Sequence, residues 1–389
     1  MHPFLAFAQA KQPAIVAFIR ELARCESPSD QPQAVNRFVD LLAGRLDGAT
    51  NVKKLPGGRF GQHLRAEFKP PGAKSSGRKS AGRAGEGKIL VLAHSDTVWP
   101  LGTLAHMPLR EEQGRLWGPG VLDMKSGIAF FVFAMHTLRM LEIPPQRTIL
   151  LQVNSDEEVG SESSRRFTEE AARQSAMVLL VEPGTGLTGK LKTARKGVGD
   201  YTITVKGRAS HAGVDFEAGA SAILELARQI PKIAGFTNLK EGITVNPGVI
   251  SGGTRTNVVA AEARVEVDIR IAKAKDAAIL DKKFRSLRPV DKRCSLQVEG
   301  GLNRPPMERS AGIRSLFQKA RDCAKELGVT LQESSTGGGS DGNFTAALGV
   351  PTLDGLGGVG EGAHAANESI LLDRIADRTA LLAMLLSQL

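Results

Sequence analysis

The chain has 389 residues, 41% hydrophobic and 24% charged, with 43 glycines and 19 prolines, a balance that excludes low-complexity disorder and a length that favours two domains over one core. Its longest uninterrupted apolar run, Ile128 to Met135, falls far short of the roughly 20 residues that a membrane helix needs, so no transmembrane segment is expected. The formal net charge of +10 invites a nucleic-acid reading, but six basic residues from Lys69 to Lys88 face Glu86 alone and supply half of that excess.

Reading from the N-terminus, the first ten residues lack the basic leader and long apolar stretch of a signal peptide. Cys25, Cys294 and Cys323 are an odd count without paired spacing, which points away from a disulfide framework or a cysteine-zinc site. A reduced, cytoplasmic setting is therefore expected. Two helical patterns come next, carried by Ile15, Phe18, Ile19 and Leu22 and by Val35, Phe38, Val39 and Leu42. The insertion 70–87, rich in glycine, serine, proline and lysine, cannot build a core and reads as a solvated surface loop with no catalytic part. One tyrosine and two tryptophans in the chain leave few aromatic platforms for stacking bases, so no nucleic-acid partner is expected.

After the loop, a strand at Ile89–Ala93 leads to a helix from about Ser126 to Glu142, stopped by Pro144-Pro145. A strand at Thr148–Val153, a helix near Ser163–Arg173 and a strand at Met177–Val181 complete an α/β pattern with a mostly parallel central sheet. The pattern changes near Thr193. Strands at Tyr201–Lys206, Ile243–Ile250, Arg264–Ile271 and Cys294–Glu299, with helices at Ala220–Ile233 and Ala277–Leu287, spell βαββαβ, a ferredoxin-like α+β arrangement. The expected layout is a catalytic domain in two parts, 1–193 and 305–389, with a smaller domain at 194–304 inserted between them.

Acidic and histidine residues gather where strands end. His94-Ser95-Asp96, Gly118-Pro119-Gly120-Val121-Leu122-Asp123, Asp156-Glu157-Glu158 and Glu182-Pro183 each come after a strand or precede a helix. Ligands in open α/β sheets bind outside the carboxyl ends of strands, where these segments can meet. With His364 in a glycine-rich loop downstream, two histidines and several carboxylates suit zinc or a similar divalent metal. A lone carboxylate at a strand end is usually a helix cap, so it is the joint pattern that carries the reading. His2, His63, His106 and His136 lack such company and read as structural.

These segments, with His94-Ser95-Asp96-Thr97-Val98, Asp123-Met124-Lys125, Asp156-Glu157-Glu158-Val159-Gly160, Ser210-His211-Ala212-Gly213 and Gly362-Ala363-His364, resemble the motifs of the di-zinc aminoacylase and carboxypeptidase superfamily (metallopeptidase family 20-like), in order over nearly the whole chain. Thr336-Gly337-Gly338-Gly339-Ser340-Asp341-Gly342-Asn343 and the segment to His364 are most similar to the folate-cleaving glutamate carboxypeptidases. The resemblance implies a zinc-peptidase-like metalloenzyme with two Zn2+ per subunit, Co2+ or Mn2+ being possible substitutes. Asp123 would bridge the ions, His94 and Glu182 completing one position, Glu158 and His364 the other. Glu157 would act as general base and acid, and Asp96 would fix the tautomer of His94. The inserted domain would be a lid and dimerisation domain, His211 stabilising the oxyanion in a partner subunit's site of a homodimer. Asn257 and Arg270, and less directly Arg304, would hold the substrate's terminal carboxylate, although a surface charge is an equally natural role for Arg270. A cis peptide is implied between Asp123 and Met124.

The implied reaction is cleavage of an amide or peptide bond next to a free carboxylate, releasing a C-terminal glutamate or similar amino acid. N-acyl-amino-acid deacylation and dipeptide hydrolysis remain alternatives. Two readings of other classes also stand: Gly184-Thr185-Gly186-Leu187-Thr188-Gly189-Lys190 nearly spells a phosphate-binding loop, and Ser340, Asp354 and His364 come in the order of an α/β-hydrolase triad.

Overall fold

Between Lys88 and His94 the chain reads Lys-Ile-Leu-Val-Leu-Ala-His, and every residue after the lysine is buried. A strand apolar on both faces belongs inside a sheet covered on both sides. In the computed structural model, which describes residues 1–70 and 87–389, it does. The basic stretch from Pro71 to Glu86 lies outside the described residues, and so does the expectation placed on it. The six-stranded sheet has the order Asn51–Pro56, Gln62–Phe68, Ile149–Asn154, Lys88–His94, Ser175–Leu180, Thr352–Leu353. The last four strands are mutually parallel, and the first two are antiparallel additions at one edge.

Strand alternation separates two layers. Ile89, Val91, Ala93, Ile149, Leu151 and Val153 join the main core with the helices Pro3–Arg24, Ser126–Met140 and Ile375–Gln388. Leu90, Leu92, Leu150, Val178 and Leu180 face the other way, with Ala171 and Ala172 of the helix Arg165–Arg173. The segment Val121–Met140 is apolar and long enough to cross a bilayer by composition, yet 72% of its most apolar window is buried inside the protein, as in a core helix. Its helix ends at Met140, ahead of Pro144-Pro145. Glu142 takes a φ of 56°, and the amide of Ile143 returns to the carbonyl of Leu138, a left-handed cap usually given to glycine.

The described chain divides into two compact units: Met1–Ala194 with Arg309–Ser335 and Ser340–Leu389, and Arg195–Glu308 with Thr336–Gly339. The main breaks fall after Ala194 and after Glu308. The glycine-rich 336–339 segment, which the sequence places in the catalytic domain, groups instead with the second unit. That unit has the strand order Thr244–Gly252, Glu262–Ile271, Gly197–Lys206, Ser295–Arg304, antiparallel throughout. With helices Ala222–Ala234 and Lys275–Arg285, this is the ferredoxin-like βαββαβ order. Ala263, Val265, Val267, Ile269 and Ile271 alternate into its core, where Tyr201 stacks on Phe284 at 3.9 Å between ring centroids.

Glu225, fully buried on the helix Ala222–Ala234, accepts the amides of Val290 and Asp291, both at 2.9 Å, and the side chain of Gln229. Burial pushes its carboxyl up, but these donors outweigh it and hold it below the usual carboxylate range. A depressed carboxyl stabilises the fold above its unfolded pKa and loses that contribution as pH falls through the folded value. Glu225→Ala is expected to cost about 1–3 kcal/mol at neutral pH. The gap to the parent should close below about pH 4, measurable in urea melts at several pH values. A gap independent of pH would refute the assignment.

Candidate metal centre

The three central strands stop at nearly the same level, His94 lying opposite Asn154 in register, so the loops after them share one end of the sheet. His94 is the last residue of its strand and is 2% exposed. Asp123 sits where the chain leaves helical backbone, between Gly120, with φ 71°, and the helix beginning at Ser126. The peptide between Asp123 and Met124 is cis. Glu157 and Glu158 open a short turn after Ile149–Asn154, and Glu182 comes two residues after Ser175–Leu180. His364, with φ 62°, lies in the loop between Gly360–Glu361 and Ser369–Leu371.

These side chains converge on Asp123. One carboxylate oxygen, Oδ1, is 3.2 Å from His94 Nε2, and the other, Oδ2, is 3.4 Å from His364 Nε2. Each imidazole has a second carboxylate of its own: Glu182 at 3.7 Å from His94, and Glu158 at 3.1 Å from His364. Donor atoms of His94, Asp123 and Glu158 all lie within 4.8 Å of one another. Ligands about 2.0–2.1 Å from a tetrahedral zinc stand about 3.3 Å apart. The spacing here matches that separation, and imidazole with carboxylate suits zinc, cobalt or manganese. Two ions would each take one histidine and one glutamate and share the aspartate.

The cluster's electrostatics favour a cation too. Burial pushes the Asp123 carboxyl up, but the imidazoles of His364 and His94 outweigh it and hold it well below the usual range. Burial likewise works against a proton on His94, and Asp123 and Asp96 overcome it, raising the imidazole above its ordinary value. Asp123 and then Glu158 push His364 up to about 10. For Glu158, burial wins and the carboxyl is raised. The carboxylates thus favour positive charge on the two histidines.

Asp96 makes contacts beyond the one to His94. The nearest acceptor to His94 Nδ1 is the main-chain oxygen of Asp96 at 2.9 Å, with the carboxylate at 3.5 Å. That carboxylate accepts the amides of Glu157 and Glu158, at 3.2 and 3.1 Å, and the hydroxyl of Ser29 at 2.8 Å. Asp96 therefore aims the Glu157-Glu158 turn as well as the imidazole. The turn's far side is held by Asp156, which accepts both donors of Ser163. His63 is buried against Ser155 and Ser163. Lys125 reaches from the Asp123 turn to the carbonyl of Cys25 at 2.9 Å. Glu368, which no motif in the sequence marks, accepts the amide of Asp123; its one trace there is an acidic residue four positions after His364.

The remaining expected site residues lie in the second unit. His211 and Asn257 are neighbours there, joined by the amide of Ala212 on the carbonyl of Asn257 at 3.0 Å. Arg270 forks onto Asp268 at 2.9 and 2.7 Å and reaches the carbonyl of Gly337 at 3.4 Å. Arg304 is buried at the end of its strand. Neither rival reading survives. Gly184–Lys190 is a turn closed by the pairing of Thr185 with Lys190 and leads into a strand rather than a helix. Ser340 is buried and donates directly to Asp354 at 2.8 Å, whereas a triad needs the histidine between them. His364 instead faces Asp123 and Glu158.

A family model described as peptidase family M20/M25/M40 matches residues 90–388. The chain belongs to that family of metallopeptidases, which makes it a hydrolase of peptide-type bonds. It is 28% identical over 363 residues to carboxypeptidase G2 of Pseudomonas sp. (strain RS-16), covering 92% of this chain and 84% of that protein. It is also 27% identical over 322 residues to acetylornithine deacetylase of Erwinia tasmaniensis, covering 77% of this chain and 79% of the relative. The solved structure of aminopeptidase PepT from Bacillus cereus shares the fold, with a TM-score of 0.78 at 22% identity over 97% of this chain and 98% of that one.

Proposed function

We propose that this chain is a two-metal hydrolase that cleaves an amide bond next to a free carboxylate, releasing a C-terminal glutamate or a similar amino acid. The observation that carries the reading is the division of Asp123 between two imidazoles, each with its own glutamate, beside the adjacent Glu157. Likeness to carboxypeptidase G2 over most of both chains supports the substrate class. His94, Asp123, Glu158, Glu182 and His364 would hold two divalent cations, with zinc the natural choice for these donors. When bound, the cations supply the Lewis acidity that activates water and polarises the amide carbonyl.

The chain's own groups do the rest. Glu157, outside the ligand set, takes the proton of the attacking water and returns it to the leaving nitrogen. Asp96 keeps Glu157 aimed by holding its amide. Asn257, Arg270 and Arg304 hold the terminal carboxylate, Arg270 exchanging part of its fork on Asp268 for the substrate. A panel of folate-type glutamates, dipeptides and N-acyl amino acids, run with and without added zinc, tests the reading. Glutamate release that a chelator abolishes is the expected result. Exclusive deacylation of N-acyl amino acids, the reaction class that likeness to acetylornithine deacetylase favours, would replace it.

In this reading the enzyme works as a homodimer in a cytoplasmic setting. The edge strand Thr244–Gly252 exposes Val249 and Ile250, and the helix Ala222–Ala234 exposes Ile223 and Leu224, an apolar surface suited to a second copy. His211 then serves the partner's reaction as oxyanion donor. His211→Ala is expected to lower turnover by roughly 10²–10³-fold with metal content unchanged. Mixing it with Glu157→Gln subunits should restore activity, since one site in a mixed dimer keeps both groups. Absence of recovery between subunits shown to exchange would remove the shared role.

A further inference from the structure

We propose that Glu368 is a positioning residue that fixes the bridging carboxylate Asp123 and the imidazole His364 in one frame, and that tight metal uptake depends on it. The inference rests on the two-metal reading above. Glu368 is fully buried, and its two oxygens are completely used. Oε2 accepts the indole of Trp99 at 2.7 Å and the amide of Gly120 at 2.9 Å. Oε1 accepts the amides of Leu122 at 2.8 Å and Asp123 at 3.1 Å. An ionised carboxylate offers about four acceptor positions, so these four donors leave Glu368 none for a cation. It is a support and not a ligand.

What it supports is particular. Three of its four donors are main-chain amides of the turn that presents Asp123. The fourth belongs to Trp99, five residues beyond His94. Its own backbone closes the His364 loop, through its amide on the carbonyl of Ala365 at 2.9 Å, while its carbonyl accepts the amide of Gly118 at 3.1 Å. One residue therefore links, through its side chain and backbone together, the segments that present His94, Asp123 and His364, which are distant in sequence. Hydrogen bonds to an ionised acceptor are short, directional and about twice as strong as neutral ones. A displacement of Glu368 must carry the Asp123 turn with it.

Glu368→Gln keeps the shape but sets an amide nitrogen against two donors. Trp99→Phe removes one donor and spares the three amides. Zinc is titrated into the metal-free full-length chain by calorimetry, alongside thermal melts of the metal-free proteins and kcat at rising zinc. The parent and Trp99→Phe are expected to take up two ions each. Glu368→Gln should lose about 10–100-fold in zinc affinity, the usual cost of removing a ligand's outer support, and regain kcat at saturating zinc. Unchanged zinc affinity in Glu368→Gln overturns the proposal, whatever its melting temperature. If the Gln variant does not fold, Glu368→Asp, which keeps the charge and shortens the reach, carries the same comparison. Failure of the parent to take up zinc would refute the two-metal reading itself, a result distinct from parent and variant binding alike.

Discussion

Asp123→Ala is expected to empty the site of metal and to lower kcat/KM by at least about 10³-fold, because the several kcal/mol supplied by bound cations disappear with them. The size of the effect comes from the carboxylate's two contacts, Oδ1 with His94 and Oδ2 with His364. Without it, His94 with Glu182 and His364 with Glu158 become separate two-donor sets. Neither reaches the three protein ligands typical of a catalytic zinc. His94→Ala should act alike, since His94 completes one set. Metal analysis after gel filtration, together with steady-state kinetics, checks both. Near-normal turnover in a demetallated preparation would sink the assignment of the site.

Glu157→Gln is the second large effect, and its signature is the opposite in one respect: metal content should persist. Glu157 and Glu158 are adjacent in a short turn held by Asp96, so their side chains leave the backbone in different directions. Glu158 contacts His364 through both of its oxygens, at 3.1 and 3.2 Å, which supports the proposal that it is a ligand and that Glu157 transfers the proton. Loss of a general base costs typically 10²–10⁴-fold in kcat. If Glu157→Gln loses zinc and Glu158→Gln retains it, the two roles are exchanged.

Much of this is legible in the sequence because strand ends are legible. Ile-Leu-Val-Leu-Ala before His94 and Leu-Leu-Gln-Val before Asn154 announce buried parallel strands, and parallel strands deliver the residues at their carboxyl ends to a common edge. The edge strand Asn51–Pro56 gives no such signal because it is almost entirely exposed, with no alternation to detect. Glu368 is silent for a different reason. Three of its four partners are amides about 245 residues away, and a backbone donor carries no residue-type signal. Asp96 stands two residues from His94 in the sequence, but its bonds to Glu157 and Glu158 depend on how two loops cross, which spacing does not encode. Thr336–Gly339 reads as part of the catalytic chain because it is continuous with Ser340-Asp341, and only contacts reassign it.

The packing of the first helix, Pro3–Arg24, against the last, Ile375–Gln388, sets a clock on biosynthesis. About 350 residues separate them, and at 5–20 residues per second a ribosome needs about 20–70 s to bridge that distance. Throughout that interval Ile15, Ile19 and Leu22 lack their final neighbour, while the βαββαβ unit, almost wholly contained in 195–308, can assemble as soon as it emerges. The order of completion is then the middle first and the two ends last. Pro3–Arg24 also packs on Ser126–Met140, so its apolar face meets that neighbour early and is completed only when Ile375–Gln388 has been made.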